Sequence, residues 1–193
     1  SFEEKREKYE LNLLSAGEKR FLNDCSEVTK VESINDDQSA SCLKTLSPDV
    51  VIVFGTRKLS SSIIRICPNG MVNLHGGDPE RYRGLDSHLW AIYHGDFSSL
   101  ITCAHRVNEE LDDGEIILQA ALEIKQGMQI EHLRAENTKK LIQVTISAID
   151  MFQRNDVFTS IPQRKKGRYY SYMPTCFKEI CEQKFLTHTA NLV

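Results

Sequence analysis

Apolar residues along the chain fall into short runs at 50–54, 71–74, 100–107 and 116–124, each bounded by polar or turn-forming residues. Runs of this length read as buried strands, whereas helices need longer amphipathic stretches. Between residues 129 and 152 the pattern changes. Leu133, Leu141, Val144, Ala148, Ile149 and Phe152 fall mostly at helical spacing and predict a long helix packed on the sheet. Asp86 or Ser87 can cap a short helix through Tyr93 that Gly95 ends, with Trp90 toward the core. Residues 39–46 suit a helix stopped near Pro48, and residues 176–185 suit a last one. At the amino end, Ser1-Phe2-Glu3-Glu4-Lys5-Arg6-Glu7-Lys8 opens a charged helix whose apolar face over residues 3–14 is Tyr9, Leu13 and Leu14. Residues 27–34 alternate weakly like a strand. Strands interleaved with helices predict an α/β fold.

Candidate chemistry lies where these strands end. Asn73-Leu74-His75-Gly76-Gly77 leaves the carboxyl end of the 71–74 strand, the position at which open α/β sheets place ligands. The 100–107 run enters the acidic turn Asn108-Glu109-Glu110-Leu111-Asp112-Asp113-Gly114, and 116–124 leaves it, so neighbouring strands return Asp112 toward His75. An amide, an imidazole and a carboxylate together can run acyl transfer to an amine, with the amide and imidazole facing the developing oxyanion. Singly, each is an ordinary turn or strand residue. Asp113 reads as a solvated neighbour, His88 as part of the short helix and His105 as an alternating strand position. His75, His88, His94 and His105 with Asp112 also spell a metal set, but no His-x-x-x-His pair or short ligand cluster is present, and no metal is expected.

Composition narrows the class. The chain has 193 residues, 40% of them hydrophobic, and no apolar run long enough to span a bilayer, so no membrane partner is expected. A net charge of −3 with interspersed signs leaves no basic footprint and disfavours nucleic acid as a partner. The six cysteines have no Cys-x-x-Cys spacing and read as reduced thiols of a cytoplasmic protein.

Asn73-Leu74-His75, Tyr82-Arg83-Gly84 and Asp112-Asp113-Gly114, preceded by Pro48-Asp49-Val50-Val51 and Gly55, resemble the 10-formyltetrahydrofolate-dependent formyltransferase family over residues 47–119. The resemblance implies a Rossmann-like core with a mostly parallel sheet, a C-terminal helix and tail, and Asn73, His75 and Asp112 as the catalytic trio. It implies 10-formyltetrahydrofolate as co-substrate, its pterin held by Leu59 and by backbone groups of Arg106, Val107, Asn108, Glu109 and Leu111. Gly76-Gly77-Asp78-Pro79 and Leu85-Asp86-Ser87-His88-Leu89-Trp90 are most similar to the branch that formylates nucleotide-linked amino sugars. That branch implies a 4-amino-4,6-dideoxyhexose acceptor, such as a nucleotide-linked perosamine or viosamine, used for O-antigen or other surface polysaccharide. Gly76 and Gly77 would admit the sugar; Lys58 and Lys166 suit its diphosphate, and Tyr169 and Tyr170 its base. The family's first strand has no counterpart, so the chain reads as lacking its native beginning, with a core at residues 1–125 and a helix and tail at 126–193 packed on it. Two alternatives stay open: another amine acceptor such as methionyl-tRNA, or a folate-pocket protein inactive through truncation. A homodimer is allowed.

Overall fold

The structure, a computed structural model, describes residues 1–192. Helix α1 (Phe2–Ser15) starts with a capping box, Ser1 Oγ accepting from Glu4 N while Glu4 returns to the chain terminus. It docks through Tyr9, stacked 4.0 Å from His132, and through Glu10, ion-paired with Arg134. Leu13 and Leu14, expected on its inner face, are 43% and 44% exposed, because the docking stripe runs through Phe2, Arg6, Tyr9 and Glu10. Residues 27–34 form no strand. They lead instead into a turn in which Ser39 Oγ donates to Ser33 O, and only Ile34 reaches apolar packing. Helix α2 (Asp37–Leu46) is capped by Asp36, whose carboxylate accepts from Ser39 N at 2.7 Å.

Strand β1 (Val51–Phe54) crosses through the single turn α3 (Ser61–Ile64) to a parallel neighbour, β2 (Met71–His75). A short strand β3 (Tyr82–Gly84) and helix α4 (Ser87–Tyr93) follow, then β4 (Ile101–Arg106) and β5 (Ile116–Ala121). The sheet order is β1-β2-β4-β5. Both pairings beyond β2 are antiparallel, so the mostly parallel sheet expected from the resemblance is parallel only on its β1–β2 side. For the β4–β5 pair the cause is connection length: the nine residues between them hold no helix to carry a crossover, and parallel neighbours need a longer path.

The long helix α5 (Leu133–Asn155) buries Leu133, Ala135, Asn137, Leu141, Val144 and Ala148. Val144 and Ala148 close on Val72, Ala104, Ile117 and Phe158 of the sheet side. The tail adds a strand that its charged, aromatic composition does not suggest, β6 (Arg168–Tyr170), parallel to β3 in the register Gly84↔Tyr170. It ends in α6 (Thr175–Ala190), longer than the 176–185 expected, which buries Cys181 and Phe185 against α4. Trp90 is half-buried, stacked 4.9 Å from Tyr170 with its indole N–H on Ser171 O. Asp86 stands at the α4 start at φ 50°, yet its carboxylate accepts from Met173 N rather than capping the helix.

Gly114 sets how tightly the β4–β5 turn closes, since an added Cβ would lie 1.7 Å from Arg106 O. Gly114→Ala is expected to force that turn open and destabilise the protein by about 2–4 kcal/mol. Gly127→Ala, at φ +71° with nothing within 4 Å, is expected to cost only about 1 kcal/mol of backbone strain. Thermal melts of the two variants check the ranking.

Candidate active site

Asn73 and His75 are alternate residues of β2 and share a face. His75 is the last residue of the strand rather than part of the loop beyond it, and is 6% exposed. The antiparallel partner places His105 opposite Asn73 and Cys103 opposite His75. Asp112 arrives from the β4–β5 turn in a left-handed conformation, φ 50°, and is also 6% exposed. The three residues named from sequence therefore converge, and a fourth, His105, joins them.

Asp112 is the hub. Its Oδ1 accepts from Asn73 Nδ2 at 3.2 Å and lies 3.6 Å from His75 Nδ1 and 3.5 Å from His105 Nε2, while Oδ2 accepts from Gly84 N at 2.7 Å. Burial alone would raise this carboxyl. The contact with His105, the His75 charge and the Gly84 N–H outweigh it and bring the pKa down to about 2. Asp112 is thus a fixed negative charge and a poor proton acceptor. His75 shows the converse balance: burial lowers its imidazole pKa against the opposing pull of Asp112. Its Nε2 donates to Tyr82 O at 2.9 Å, which leaves Nδ1, on the Asp112 side, as the basic nitrogen. His105 is fixed the other way, Nδ1 donating to Arg106 O at 2.8 Å so that Nε2 accepts from Asn73 Nδ2 at 3.0 Å. Both amide hydrogens of Asn73 are therefore engaged, and donating to a substrate oxygen exchanges one of them.

The Tyr82-Arg83-Gly84 motif is a clamp in which each residue holds one part of the site. Tyr82 O fixes the His75 tautomer, the buried Arg83 guanidinium donates through Nε to Leu111 O at 2.8 Å, and Gly84 N anchors Asp112. Gln163 from the tail donates to the carbonyls of Asp112 and Gly114, a contact with no sequence signal. Asp113 faces outward and pairs with Lys166 at 3.6 Å.

Two cavities meet at His75. The first, about 180 Å³, is lined by Asn73, His75, Asp112, Leu59, Val107 and Asn108, among others, with Lys58, Glu110 and Leu111 also in its wall. Of the residues expected around the pterin, Arg106 and Glu109 are not in that wall. Arg106 turns away to Phe158 O and Ser160 Oγ, and Glu109 accepts from Ser61 Oγ. Gly76 lines both cavities. Gly77 lines neither, because a Cβ there would meet Ser87 Cβ at 2.6 Å and His75 Nε2 at 3.0 Å, which makes it a packing position behind the imidazole. Lys58 and Lys166 both grip Glu110, at 3.7 and 3.5 Å. Tyr169 is 55% exposed against Gly84, whereas one side of Tyr170 is covered by Trp90.

A methionyl-tRNA formyltransferase of Porphyromonas gingivalis is 30% identical over 156 residues, 80% of this chain and 48% of that protein. The chain thus spans about half the length of the curated relatives it matches first. The bifunctional polymyxin resistance protein ArnA of Wigglesworthia glossinidia brevipalpis is 31% identical over 113 residues, 58% of this chain and 17% of that one. Among solved structures, the formyltransferase PseJ of Anoxybacillus kamchatkensis, in complex with UDP-4,6-dideoxy-4-formamido-L-AltNAc and tetrahydrofolate, superposes with a TM-score of 0.59 at 18% identity. The superposition covers 95% of each chain and shows a common fold. The formyl transferase family itself matches residues 5–149, the stretch that carries Asn73, His75, the Tyr82-Arg83-Gly84 clamp and Asp112, and the chain belongs to that family.

Proposed function

We propose that this protein transfers a formyl group from 10-formyltetrahydrofolate to the amino group of a nucleotide-linked 4-amino-4,6-dideoxyhexose. The observation that carries the reading is the convergence of Asn73, His75 and Asp112 where two cavities meet, which suits a reaction between two substrates. The first cavity, with Leu59 and the Val107-to-Leu111 turn in its wall, suits the folate. The pairing of a formamido sugar with tetrahydrofolate in PseJ, whose fold this chain shares, supports the sugar acceptor.

In the proposed reaction the amine lone pair attacks the formyl carbon. A C–N bond forms as the carbonyl π electrons move to oxygen, whose charge Asn73 stabilises by exchanging one of its amide hydrogen bonds. The amine proton passes to His75 Nδ1, and the adjacent Asp112 charge stabilises the imidazolium. As C=O re-forms, the bond to folate N10 breaks, its electron pair stays on N10, and His75 returns the proton there. Formamide and tetrahydrofolate are released, and no proton is gained or lost overall. The exposed Tyr169 ring suits the base, whereas Lys58 stands in the wall of the folate cavity and both it and Lys166 are held by Glu110. A second reading, methionyl-tRNA as acceptor, is favoured by the name of the curated relative.

The deciding experiment offers dTDP-, UDP- and GDP-linked 4-amino sugars beside methionyl-tRNA and glycinamide ribonucleotide, with 10-formyltetrahydrofolate. Formylation of an amino sugar is expected. Formylation of methionyl-tRNA or glycinamide ribonucleotide alone overturns the sugar assignment and keeps the trio.

His75→Ala and Asn73→Ala are each expected to lower kcat about 100-fold or more while far-UV circular dichroism stays native. Asp112→Asn is expected to fall as far, because its amide would turn N–H groups toward Gly84 N or Asn73 Nδ2; Asp113→Asn, whose partner is a surface lysine, should change kcat less than about threefold. Equal losses at the two aspartates would contradict the hub.

The acid limb of kcat/KM follows from the lowered His75 pKa. The neutral imidazole is the active form, so activity should fall only below pH 6.5, as protonation proceeds, and stay level above it. Stability runs in the same direction. Asp112 is held at about 2 against an unperturbed 3.8, so its contribution is complete above pH 3.8 and is lost as pH falls toward 2. A pH-rate profile and a pH series of melting temperatures separate the two windows.

A further inference from the structure

The second cavity at His75, about 230 Å³, shares Phe54, Gly76, Gly84 and Leu85 with the first and is closed on its far side by α1 and α5. Two polar groups in its wall have no partner among the described residues. Asn137, on the second turn of α5 and 8% exposed, has a buried Oδ1 without a hydrogen bond. Arg6, on α1, has a buried Nε–H in the same condition, and its guanidinium pairs with no carboxylate, although the neighbouring Arg134 is satisfied by Glu10. A buried acceptor left unpaired weakens the fold, and native proteins keep few of them. Asn137 also packs beside the chain that leaves His75, since a Cβ on Gly76 would come within 3.1 Å of its Nδ2. The amide therefore stands next to the proposed reacting centre, on the side away from the folate cavity.

We propose that this second cavity is the acceptor site, in which Asn137 Oδ1 accepts a hydrogen bond from the attacking amine and Arg6 binds an anionic oxygen of the same substrate. The inference rests on the formyl-transfer reading above and is independent of which amine is used. The role of Asn137 follows from geometry, since an acceptor that takes one N–H of a neutral amine turns the lone pair away from itself, toward the formyl carbon across His75. A half-turn of the amide about its Cβ–Cγ bond presents either edge to the cavity. Arg6 supplies charge with planar, two-pronged geometry, which suits a phosphoryl or carboxylate group remote from the amine. Substrate binding thereby satisfies the amide oxygen that the protein itself leaves unpaired.

The test uses the full chain with 5-formyltetrahydrofolate bound as an unreactive folate and dTDP-4-amino-4,6-dideoxyglucose as acceptor probe, followed by calorimetry, with turnover on 10-formyltetrahydrofolate measured in parallel. Asn137→Leu, close in shape, is expected to weaken acceptor binding at least tenfold and leave 5-formyltetrahydrofolate affinity within twofold. It should also raise the ligand-free melting temperature by about 2–4 °C, since the unpaired polar group is gone. Asn137→Ala is a second variant with the same expected binding loss if the leucine fails to pack. Arg6→Met should raise the acceptor KM about tenfold with kcat nearly unchanged. Unchanged acceptor binding in both Asn137 variants, as when a structural water alone fills the site, overturns the proposal; so does folate affinity that falls in step. If methionyl-tRNA is formylated and the sugar nucleotide is not, the same variants are measured with methionyl-tRNA. A loss there sustains the acceptor cavity while the sugar reading fails, and no loss removes both.

Discussion

A single buried negative charge organises the centre of this protein. Asp112 is almost fully removed from water, and an isolated carboxylate in that position would neutralise itself. It stays charged because groups from separate parts of the chain donate to it, the Asn73 amide from β2 and the Gly84 N–H from β3, with the imidazoles of His75 and His105 from β2 and β4 alongside. Of these partners only His105, seven residues upstream, is near Asp112 in sequence. Each strand must be in register for the charge to be tolerated, so the electrostatics of the site and the correctness of the fold are the same condition. Breaking one partner leaves a charge with too few donors, which is costlier than losing the contact itself.

The protonation roles follow from the same arrangement. The carboxylate sits too low in pKa to move protons near neutrality, and the imidazole beside it has its far nitrogen committed to Tyr82 O. In the proposed reaction the proton transfer is left to one nitrogen, His75 Nδ1. The second imidazole, His105, is committed to Arg106 O and serves to orient Asn73. Two histidines on one face thus carry different duties because each is tied down at a different ring atom.

Much of this is legible from residue order. The four apolar runs are the four strands of the main sheet, and Asn73, His75 and Asp112 meet as their order suggests. What residue order does not show depends on pairing. His105 reads as an ordinary alternating position, and becomes part of the site only once the antiparallel β2–β4 register sets it opposite Asn73. Strands β3 and β6 have three residues each and no apolar periodicity, and exist because they pair with one another. Hydrophobicity points Leu13 and Leu14 inward, whereas α1 docks by a stacked ring and an ion pair. The expectation at Arg106 and Glu109 concerns their backbone groups, and their side chains are engaged with Phe158 O and Ser61 Oγ. Asn137 has no signal at all: a polar residue on the inner stripe of an otherwise apolar helix is visible only after the stripe has been placed.

The β3–β6 pairing has a consequence for the order in which the molecule is made. Gly84, which holds Asp112, is itself held by the carbonyl of Tyr170 packed against it and by Leu85 N donating to that same carbonyl. Residues separated by more than eighty positions must therefore be joined before the carboxylate has its full set of donors. During synthesis, the sheet and its histidines can assemble first, while the clamp waits for the tail to emerge. A nascent chain stalled short of Arg168 would carry every residue of the trio and still lack the strand that holds their clamp in place.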